Sequence, residues 1–431
     1  MNQTDRIFAL ASVWAAAKET YPYFDRLTVN WDDAFRLYLE KIRLEADETQ
    51  VWLLLASFTR LLNDGHSTVI LPRHLTERSG FFPFEFEMVG DRFLVIAASD
   101  RCDLGKEVTG IDGIPVQELV RTLDQWQYTS NGRPFRGRLE RWLPLMLSGT
   151  THMLETDAGS ISFSLAEKKP DLLRLPDPIA GRPSRSVSKG IRLFEPGILY
   201  VRLDDLTHVD QADAFSSLLE RQKPCAVLFD IRRNVGGMTL CGAKYAQPFF
   251  PGSFGGCRKW TQQRNASDAA SAAQLTRMSE TRIRTMLASG ILSQEDFDDA
   301  KKYADRMQYE RYCDTWEFPC SVRLLDCPVL LLTSRDTISA AEDFAAFFRS
   351  NHRGILMGEP TFGSTGSPLP FRLPGDGFAQ IVSVGYELAD GTPFIGRGIV
   401  PDIPFPPLLS DRKSGYDRQL DTAVEYLQQQ L

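Results

Sequence analysis

Ser339 stands where a serine hydroxyl could act as a nucleophile. It follows the apolar run 329–332 and a short loop, and it opens the segment Ser339-Ala340-Ala341-Glu342 at the start of an amphipathic helix. A serine three residues before a glutamate is also a common helix cap, and on this motif alone the cap is the more frequent explanation. The same position nevertheless sets a hydroxyl beside unpaired backbone N–H groups. Such groups stabilise the oxyanion that forms when a carbonyl is attacked.

A second candidate segment ends another apolar run with two glycines. Its sequence is Asp230-Ile231-Arg232-Arg233-Asn234-Val235-Gly236-Gly237. A plain strand-to-helix turn explains this pattern equally well, and a double glycine by itself is weak evidence. Without a Cβ, however, Gly236 or Gly237 could bring a backbone amide against a substrate carbonyl. Either amide would then be a second donor to the oxyanion.

A serine hydroxyl needs a base to become nucleophilic near neutral pH, and the chain contains five histidines. His66 stands in the segment Asn63-Asp64-Gly65-His66-Ser67, where the glycine favours the left-handed turn that ends a helix. A lone histidine after a helix end is more often a surface residue than a catalyst. The glycine-rich segment 358–367 could be a mobile loop or a phosphate cradle. It does not match the P-loop, and the chain has no G-x-S-x-G nucleophile elbow.

Composition and charge restrict the classes of function. The 431 residues are 43% hydrophobic and 24% charged, which is ordinary for globular domains. The net charge of −7 argues against nucleic acid or an anionic membrane as the main partner. The seven cysteines are scattered and form no C-x-x-C pair, so neither a disulfide framework nor a zinc ribbon is expected. Without an apolar run of about 18–20 residues or a basic leader, we expect a cytoplasmic protein that does not enter a membrane.

The periodicity of apolar residues divides the front of the chain into three segments. Residues 1–80 show the helical period, and residues 81–170 show the alternation typical of strands. Within the second segment, Asp112-Gly113 predicts a tight turn and residues 117–123 predict a helix. Residues 171–190 are rich in Pro, Arg, Ser and Gly, and we interpret them as a linker.

Residues 191–431 show short apolar runs that alternate with helical stretches. This pattern indicates an α/β domain with strands buried on both faces of a parallel sheet, at 198–201, 226–231, 329–332 and 355–357. A polar segment at about 258–316 interrupts the rhythm, and Ser293 opens a helix in it as a capping residue. We interpret this segment as a helical insertion over one edge of the sheet. It would be a lid over the site or a surface decoration.

Together, the motifs resemble those of the tail-specific, or C-terminal processing, serine peptidase family, particularly its branch with a tricorn-like core. The shared pieces, in the family's order, are D-G-H, G-x-D-G-x-P-V, D-x-R-x-N-x-G-G, S-A-A-E, G-E-P-T-x-G-S and G-I-V-P-D-I. The resemblance implies an α/β fold with a crotonase-like catalytic domain at 191–431, an N-terminal helical domain and a small PDZ-like β domain. Such a β domain would bind a peptide as an added strand. The expected partner is a peptide or an unfolded protein tail, with no metal, no cofactor and no nucleic acid, and a homo-oligomer is left open.

The resemblance also implies roles for individual residues. Ser339 would be the nucleophile, and the oxyanion hole would be formed by the Ala340 amide and by an amide of the double-glycine turn, with Gly236 preferred to Gly237. Substrate contacts would lie at Ser364, Thr365 and Gly366. One large subgroup uses a lysine that follows the serine, but this chain has no lysine between Lys302 and Lys413. In the tricorn-like branch an early histidine is the base, and His66 matches its position.

In that branch a glutamate just before the G-x-x-P-D motif orients the histidine. This chain has no acid there, and Glu387 is the nearest upstream candidate. Two alternatives follow from this departure and from the chemistry. The chain could be a non-catalytic member that binds peptides or small apolar ligands, or a serine hydrolase that acts on small esters or amides.

Overall fold

The front of the chain forms helices that lead into one short strand. The computed structural model describes residues 1–130, 133–134, 138–176, 184–264, 278–298, 309–315, 317–319 and 325–431. The first elements are α1 (Gln3–Thr20), α2 (Trp31–Leu44), α3 (Glu48–Arg60), β1 (Thr68–Ile70) and α4 (Arg73–Ser79). Asn2, Asn30 and Asp47 cap the first three helices by accepting backbone N–H groups of the first turn. None of the described helices is both long enough and apolar enough to cross a bilayer.

A mostly antiparallel β region follows. Its sheet has the order β10-β3-β4-β8-β9, with β2 paired to β3 and β5 paired to β4. Asp112 and Gly113 both have positive φ angles, of 53° and 77°, as the predicted tight turn requires. The elements are β2 (Phe84–Val89), β3 (Arg92–Ala98), β4 (Glu107–Ile111), β5 (Ile114–Pro115), α5 (Val116–Leu123), β6 (Thr129–Ser130), β7 (Arg133–Pro134), α6 (Arg138–Trp142), β8 (His152–Thr156), β9 (Gly159–Phe163) and β10 (Leu173–Arg174).

The segment 171–190, which we interpret as a linker, contains two short strands among its described residues. Leu173 and Arg174 form β10, which pairs with β3, and β11 (Arg185–Ser188) pairs with β12. The segment therefore adds one strand to each of the two sheets that it connects. Backbone pairing, which composition does not reveal, holds these residues in strands. Residues 177–183 lie outside the described residues.

The predicted parallel sheet is present in the second half of the chain. Its order is β11-β12-β13-β14-β17-β18-β22, and the strands from β13 to β22 run parallel. All residues of β14 and β17 are buried, which explains why each is apolar up to its last residue, Asp230 or Thr333. The strands are β12 (Ile191–Phe194), β13 (Ile198–Arg202), β14 (Ala226–Asp230), β17 (Val329–Thr333), β18 (Ile355–Gly358) and β22 (Ile403–Pro404).

Helices cover this sheet, and one of them begins at Ser339. They are α7 (Val209–Gln222), α8 (Thr239–Ala246), α10 (Ala340–Ser350), α11 (Leu409–Ser414) and α12 (Arg418–Gln428). Phe344 and Phe348 of α10 pack on Phe229 of β14, with ring centroids 5.2 and 6.0 Å apart. This aromatic contact fixes the helix that carries the candidate nucleophile against the central strand.

The insertion differs from the prediction at both of its ends. Residues 257–264 form β15 (Cys257–Arg264), which pairs with β16 (Tyr309–Thr315) and with β21 (Gly385–Leu388). The strands β15 and β16 form by pairing with segments distant in the chain. Their own sequences are polar and therefore do not predict strands. The helical prediction is correct for α9 (Glu280–Ala288), and Ser293 accepts the Asp296 N–H as the predicted cap. Residues 265–277 and 299–308 lie outside the described residues.

One small sheet joins the front of the chain to its far end. β1 pairs antiparallel with β20 (Phe378–Val382), which also pairs with β19 (Pro368–Arg372). In this register Thr68 faces Gln380 and Val69 faces Ala379. The residues just before β1 are thereby brought to the second half of the chain.

The packing of α10 yields a stability prediction. Phe344→Ala should lower the free energy of unfolding by about 3–5 kcal/mol, because Phe344 is fully buried and its removal leaves a cavity. Phe8→Ala is the matched control, since Phe8 is 61% exposed on α1. Denaturant unfolding of both variants measures the difference. Equal effects of the two changes would contradict the packing described above.

Candidate active site

The D-G-H segment forms a tight turn around a buried carboxylate. The Oδ1 atom of Asp64 accepts the backbone N–H groups of His66 and Ser67, at 2.8 and 2.7 Å. Gln380 donates its side-chain amide to the His66 carbonyl at 2.8 Å, and the Val382 N–H donates to Ser67 Oγ at 3.1 Å. The turn and β20 together fix the backbone from which the imidazole projects.

His66 reaches the loop that follows β18. Its Nδ1 atom lies 2.6 Å from Ser364 Oγ, although the two residues are 298 positions apart. Burial lowers the pKa of His66 below 6.5, Asp64 opposes this effect, and the positive charge of Arg138 adds to it. The neutral imidazole, which is the form that accepts a proton, is therefore favoured.

Ser339 belongs to the same cluster through its backbone. Its N–H donates to the Ser364 carbonyl at 3.0 Å and to the Glu342 carboxylate at 3.3 Å. The second bond is the backbone part of the predicted capping box. Ser339 has φ 62° and ψ −132°, a conformation that side-chain-bearing residues rarely adopt and that is concentrated at functional sites. Ser339 is partly exposed, whereas Ser364 is fully buried.

The double glycine lies directly against Ser339. A Cβ on Gly236 would come within 2.6 Å of Ser339 Cβ and 3.1 Å of the Ala340 nitrogen, so no other residue fits without a shift. The Gly236 N–H donates to Asn234 Oδ1 at 2.9 Å. An isolated β-bridge joins this turn to Leu206. The Gly236 carbonyl accepts the Leu206 N–H, and the Met238 N–H donates to the Leu206 carbonyl. The Gly237 N–H takes no part in these two bonds.

A buried carboxyl group ties the two loops together. Glu342 accepts hydrogen bonds from Thr361 Oγ1 and from the N–H groups of Gly363 and Ser364, at 2.5, 2.7 and 2.8 Å. Burial raises the pKa of Glu342 to about 7, although these bonds favour the ionised form. Burial likewise raises the pKa of the neighbouring Asp343 to about 6.

The remaining predicted site residues occupy different surroundings. The Thr365 hydroxyl donates to Asp343 at 3.2 Å and is buried. Gly366 has φ 131°, and a Cβ there would come within 2.4 Å of the Val384 carbonyl oxygen. Glu387 lies on β21, where its carboxylate is 3.3 Å from Arg258 of β15. Within the described ranges, the side-chain hydrogen-bond partner of His66 is Ser364 and not Glu387.

Comparison with known proteins gives a family match in the part of the chain that forms the parallel sheet. Residues 197–405 match the sequence profile of peptidase family S41. This match covers 209 of the 431 residues. A carboxyl-terminal-processing protease of Picosynechococcus sp. is 27% identical over 236 residues, which are 53% of this chain and 45% of that protein. The match thus spans less than half of this curated relative.

Solved structures share the fold over nearly the whole chain. The structure of mature CPAF complexed with lactacystin superposes with a TM-score of 0.71 at 15% identity, covering 99% of this chain and 98% of that chain. The photosystem II D1 C-terminal processing protease gives a TM-score of 0.50 at 15% identity, covering 93% of each chain. At this level of identity, the likeness concerns the fold alone. The S41 resemblance drawn from the motifs is therefore confirmed.

Sequence reasoning did not assign two parts of the site. Ser364 was expected to contact substrate, but its hydroxyl meets His66. Glu342 was recognised only as a capping residue, but it also binds the loop that contains Ser364. The S-A-A-E and G-S motifs contain both residues, yet only the tertiary structure reveals their contact.

The raised pKa of Glu342 predicts a pH dependence of stability. In the folded chain Glu342 keeps its proton to a higher pH than in the unfolded chain, where its carboxyl has the ordinary pKa of 4.5. The folded state therefore binds more protons between about pH 4.5 and 7, and stability falls as the pH rises through this window. The contribution of Glu342 should be about 3 kcal/mol across it.

Glu342→Gln should remove this part of the dependence, which urea unfolding between pH 4.5 and 7.5 would measure. The difference in unfolding free energy between variant and wild type separates the effect of the Glu342 carboxyl from that of His66. The lowered pKa of His66 makes stability rise with pH, which is the opposite direction. Glu40→Gln, an exposed change on α2, is the control. Identical pH profiles for wild type and Glu342→Gln would contradict the assignment.

Proposed function

We propose that this chain is a serine peptidase in which Ser339 attacks the peptide carbonyl and His66 is the general base. The observation that carries the proposal is the meeting of two distant segments. His66 Nδ1 lies 2.6 Å from Ser364 Oγ, and the Ser364 carbonyl accepts the Ser339 N–H. A merely structural histidine after a helix end would not have to reach this loop.

Ser364 takes the role that an acid has in other serine–histidine sites. In the neutral imidazole, a hydroxyl that accepts the Nδ1 proton leaves Nε2 unprotonated and able to accept a proton. Because Ser364 is fully buried, it orients the imidazole and does not attack substrate. This assignment replaces Glu387, whose carboxylate pairs with Arg258.

The oxyanion hole is formed by the amides of Ala340 and Gly237. Ala340 is the first residue of α10, where an N–H has no partner within the helix. The Gly236 N–H donates to Asn234, so the neighbouring Gly237 is the better candidate of the pair. The close packing of Gly236 brings the double-glycine turn against Ser339 and the Ala340 nitrogen.

The chemistry then follows from these positions. His66 takes the proton of Ser339 as the hydroxyl attacks, and the two amides stabilise the tetrahedral oxyanion. His66 next protonates the leaving amine, and water hydrolyses the acyl-enzyme. The crotonase-like domain supplies this site. The PDZ-like β region offers sheet edges to which a peptide or an unfolded tail would add as a strand.

Fluorophosphonate labelling tests which serine is the nucleophile. Ser339→Ala should abolish both peptide turnover and covalent labelling, because the attacking oxygen is removed. Ser364→Ala is the matched control and should still be labelled, more slowly, because it loses only the group that orients His66. Labelling that survives in Ser339→Ala and disappears in Ser364→Ala would reverse the assignment. No labelling of wild type would favour the non-catalytic, peptide-binding alternative.

The base is tested by its pH profile. His66→Ala should lower kcat/KM by about three orders of magnitude or more while keeping the melting temperature within a few degrees. In wild type, the acid limb of kcat/KM should lie below about pH 6.5, because the lowered pKa keeps His66 neutral there. His74→Ala, at an exposed histidine, is the control. Retained turnover in His66→Ala would show that His66 is only structural.

A further inference from the structure

A cavity separate from the serine–histidine cluster lies at the carboxyl ends of the parallel strands. Its volume is about 160 Å³, and neither Ser339 nor His66 lines it. The wall is formed by the end of β2, the loops after β14 and β17, and residues in the segment 405–419. Open α/β sheets bind ligands in this position, outside the carboxyl ends of their strands.

Most of the positive charge in this wall is neutralised by ion pairs. Arg232, for example, contacts Asp417 at 2.8 Å and Arg418 contacts Asp411 at 2.9 Å. Five arginines of the wall form such pairs: Arg202, Arg232, Arg233, Arg412 and Arg418.

Arg335 differs from these five arginines. It is only 9% exposed, and the contact of its guanidinium is the Met88 sulfur at 3.7 Å. In the part of the chain that the structure describes, no carboxylate forms an ion pair with Arg335. Its neighbour Glu359 is already paired with Arg133, at 3.3 Å. Burial, and then the charge of Arg133, lower the pKa of Arg335 to about 10, so it is a cation at neutral pH.

The charges of Glu359 and Asp336 compensate part of the cost of burying this cation, but neither of these described residues forms an ion pair with it. An anion in the cavity would relieve the remaining cost. The cavity is suited to the carboxylate of an apolar or mixed peptide, because Met88, Phe405 and Leu408 also line it. Arg335 is also near the candidate nucleophile. Four residues (339 − 335) separate them, so their Cα atoms are at most about 14 Å apart. About four residues of an extended peptide span this distance.

We propose that Arg335 binds a carboxylate of the peptide substrate within about four residues of the bond that Ser339 attacks. The proposal rests on the serine peptidase function and adds a specificity-determining residue to it. A C-terminal carboxylate and an acidic side chain present the same chemistry to a guanidinium. The experiment distinguishes these two sources.

Peptide binding to the full chain carrying Ser339→Ala tests the proposal without turnover. Fluorescence anisotropy would compare three labelled peptides of equal length. The first has a free C-terminus and no acidic side chain, the second has an amidated C-terminus and one glutamate, and the third has an amidated C-terminus and glutamine instead. The glutamate is moved along the second peptide, one position at a time.

One of the two charged peptides should bind about tenfold to a hundredfold more tightly than the neutral one, as expected for hydrogen bonds to a charged group. The additional change Arg335→Gln should abolish this preference. Arg202→Gln, at a cavity arginine paired with Asp204, should keep it. The melting temperature of Arg335→Gln should equal or exceed that of its parent, because an unpaired buried charge is removed.

Three results would overturn the proposal. They are equal binding of all three peptides or of none, a preference that survives Arg335→Gln, and a clear drop in the melting temperature of Arg335→Gln, which would make Arg335 structural. The function itself is judged separately, by labelling of Ser339. Labelled, active enzyme without a charge preference would refute the carboxylate site and leave the peptidase proposal intact.

Discussion

The pairing of β1 with β20 is the constraint on which the candidate site depends. Its register places Thr68 opposite Gln380, and it is extended by the bonds from Gln380 to His66 and from Val382 to Ser67. Closing so long a loop costs conformational entropy that a three-residue strand alone does not offset. The front helices add contacts on the same side of the molecule, where Trp260 of β15 donates its indole N–H to the Pro22 carbonyl. His66, the proposed base, is therefore positioned by a docked region, and the proposed site is complete only when that region is folded against the part of the chain that matches family S41.

A buried carboxyl group holds the other half of the site. Glu342 binds the backbone N–H of Ser339 and those of Gly363 and Ser364 through one side chain. A residue with the φ angle of Ser339 persists only when its surroundings fix it, and these bonds provide such surroundings. The same carboxyl group keeps Ser364 in reach of His66. The local cap that the sequence predicts is thus also a tertiary link between Ser339, the proposed nucleophile, and Ser364, which we propose orients His66.

The sequence predicts the parts of the fold that are buried on both faces and the motifs that lie within one loop. Strands β13, β14, β17 and β18 appear as apolar runs because both of their faces are covered. Strands β10, β15 and β16 do not, because their formation depends on pairing with strands distant in the chain. The same reason explains the orientation of His66. A search along the chain for an acid gives Glu387, but the pairing of β21 with β15 directs that side chain to Arg258. The Ser364 contact depends on two loops 298 positions apart, which no local pattern encodes.

Hydrogen bonds hold the segment between the cavity and Ser339, the proposed nucleophile, at several points along its length. Ser334 Oγ donates to the Arg232 carbonyl, Thr337 Oγ1 donates to the Ile231 carbonyl, and the Ile338 N–H donates to the Asn234 carbonyl. The loops after β14 and β17 therefore form one unit that carries Arg335 at one end and Ser339 at the other. In such a unit, the distance from a bound carboxylate to the attacking oxygen is set by the fold and not by a moving element. A peptide held at Arg335 would be cleaved at a fixed distance from its bound carboxylate. Selectivity would then depend on the number of residues between that carboxylate and the cleaved bond more than on the side chains at the bond.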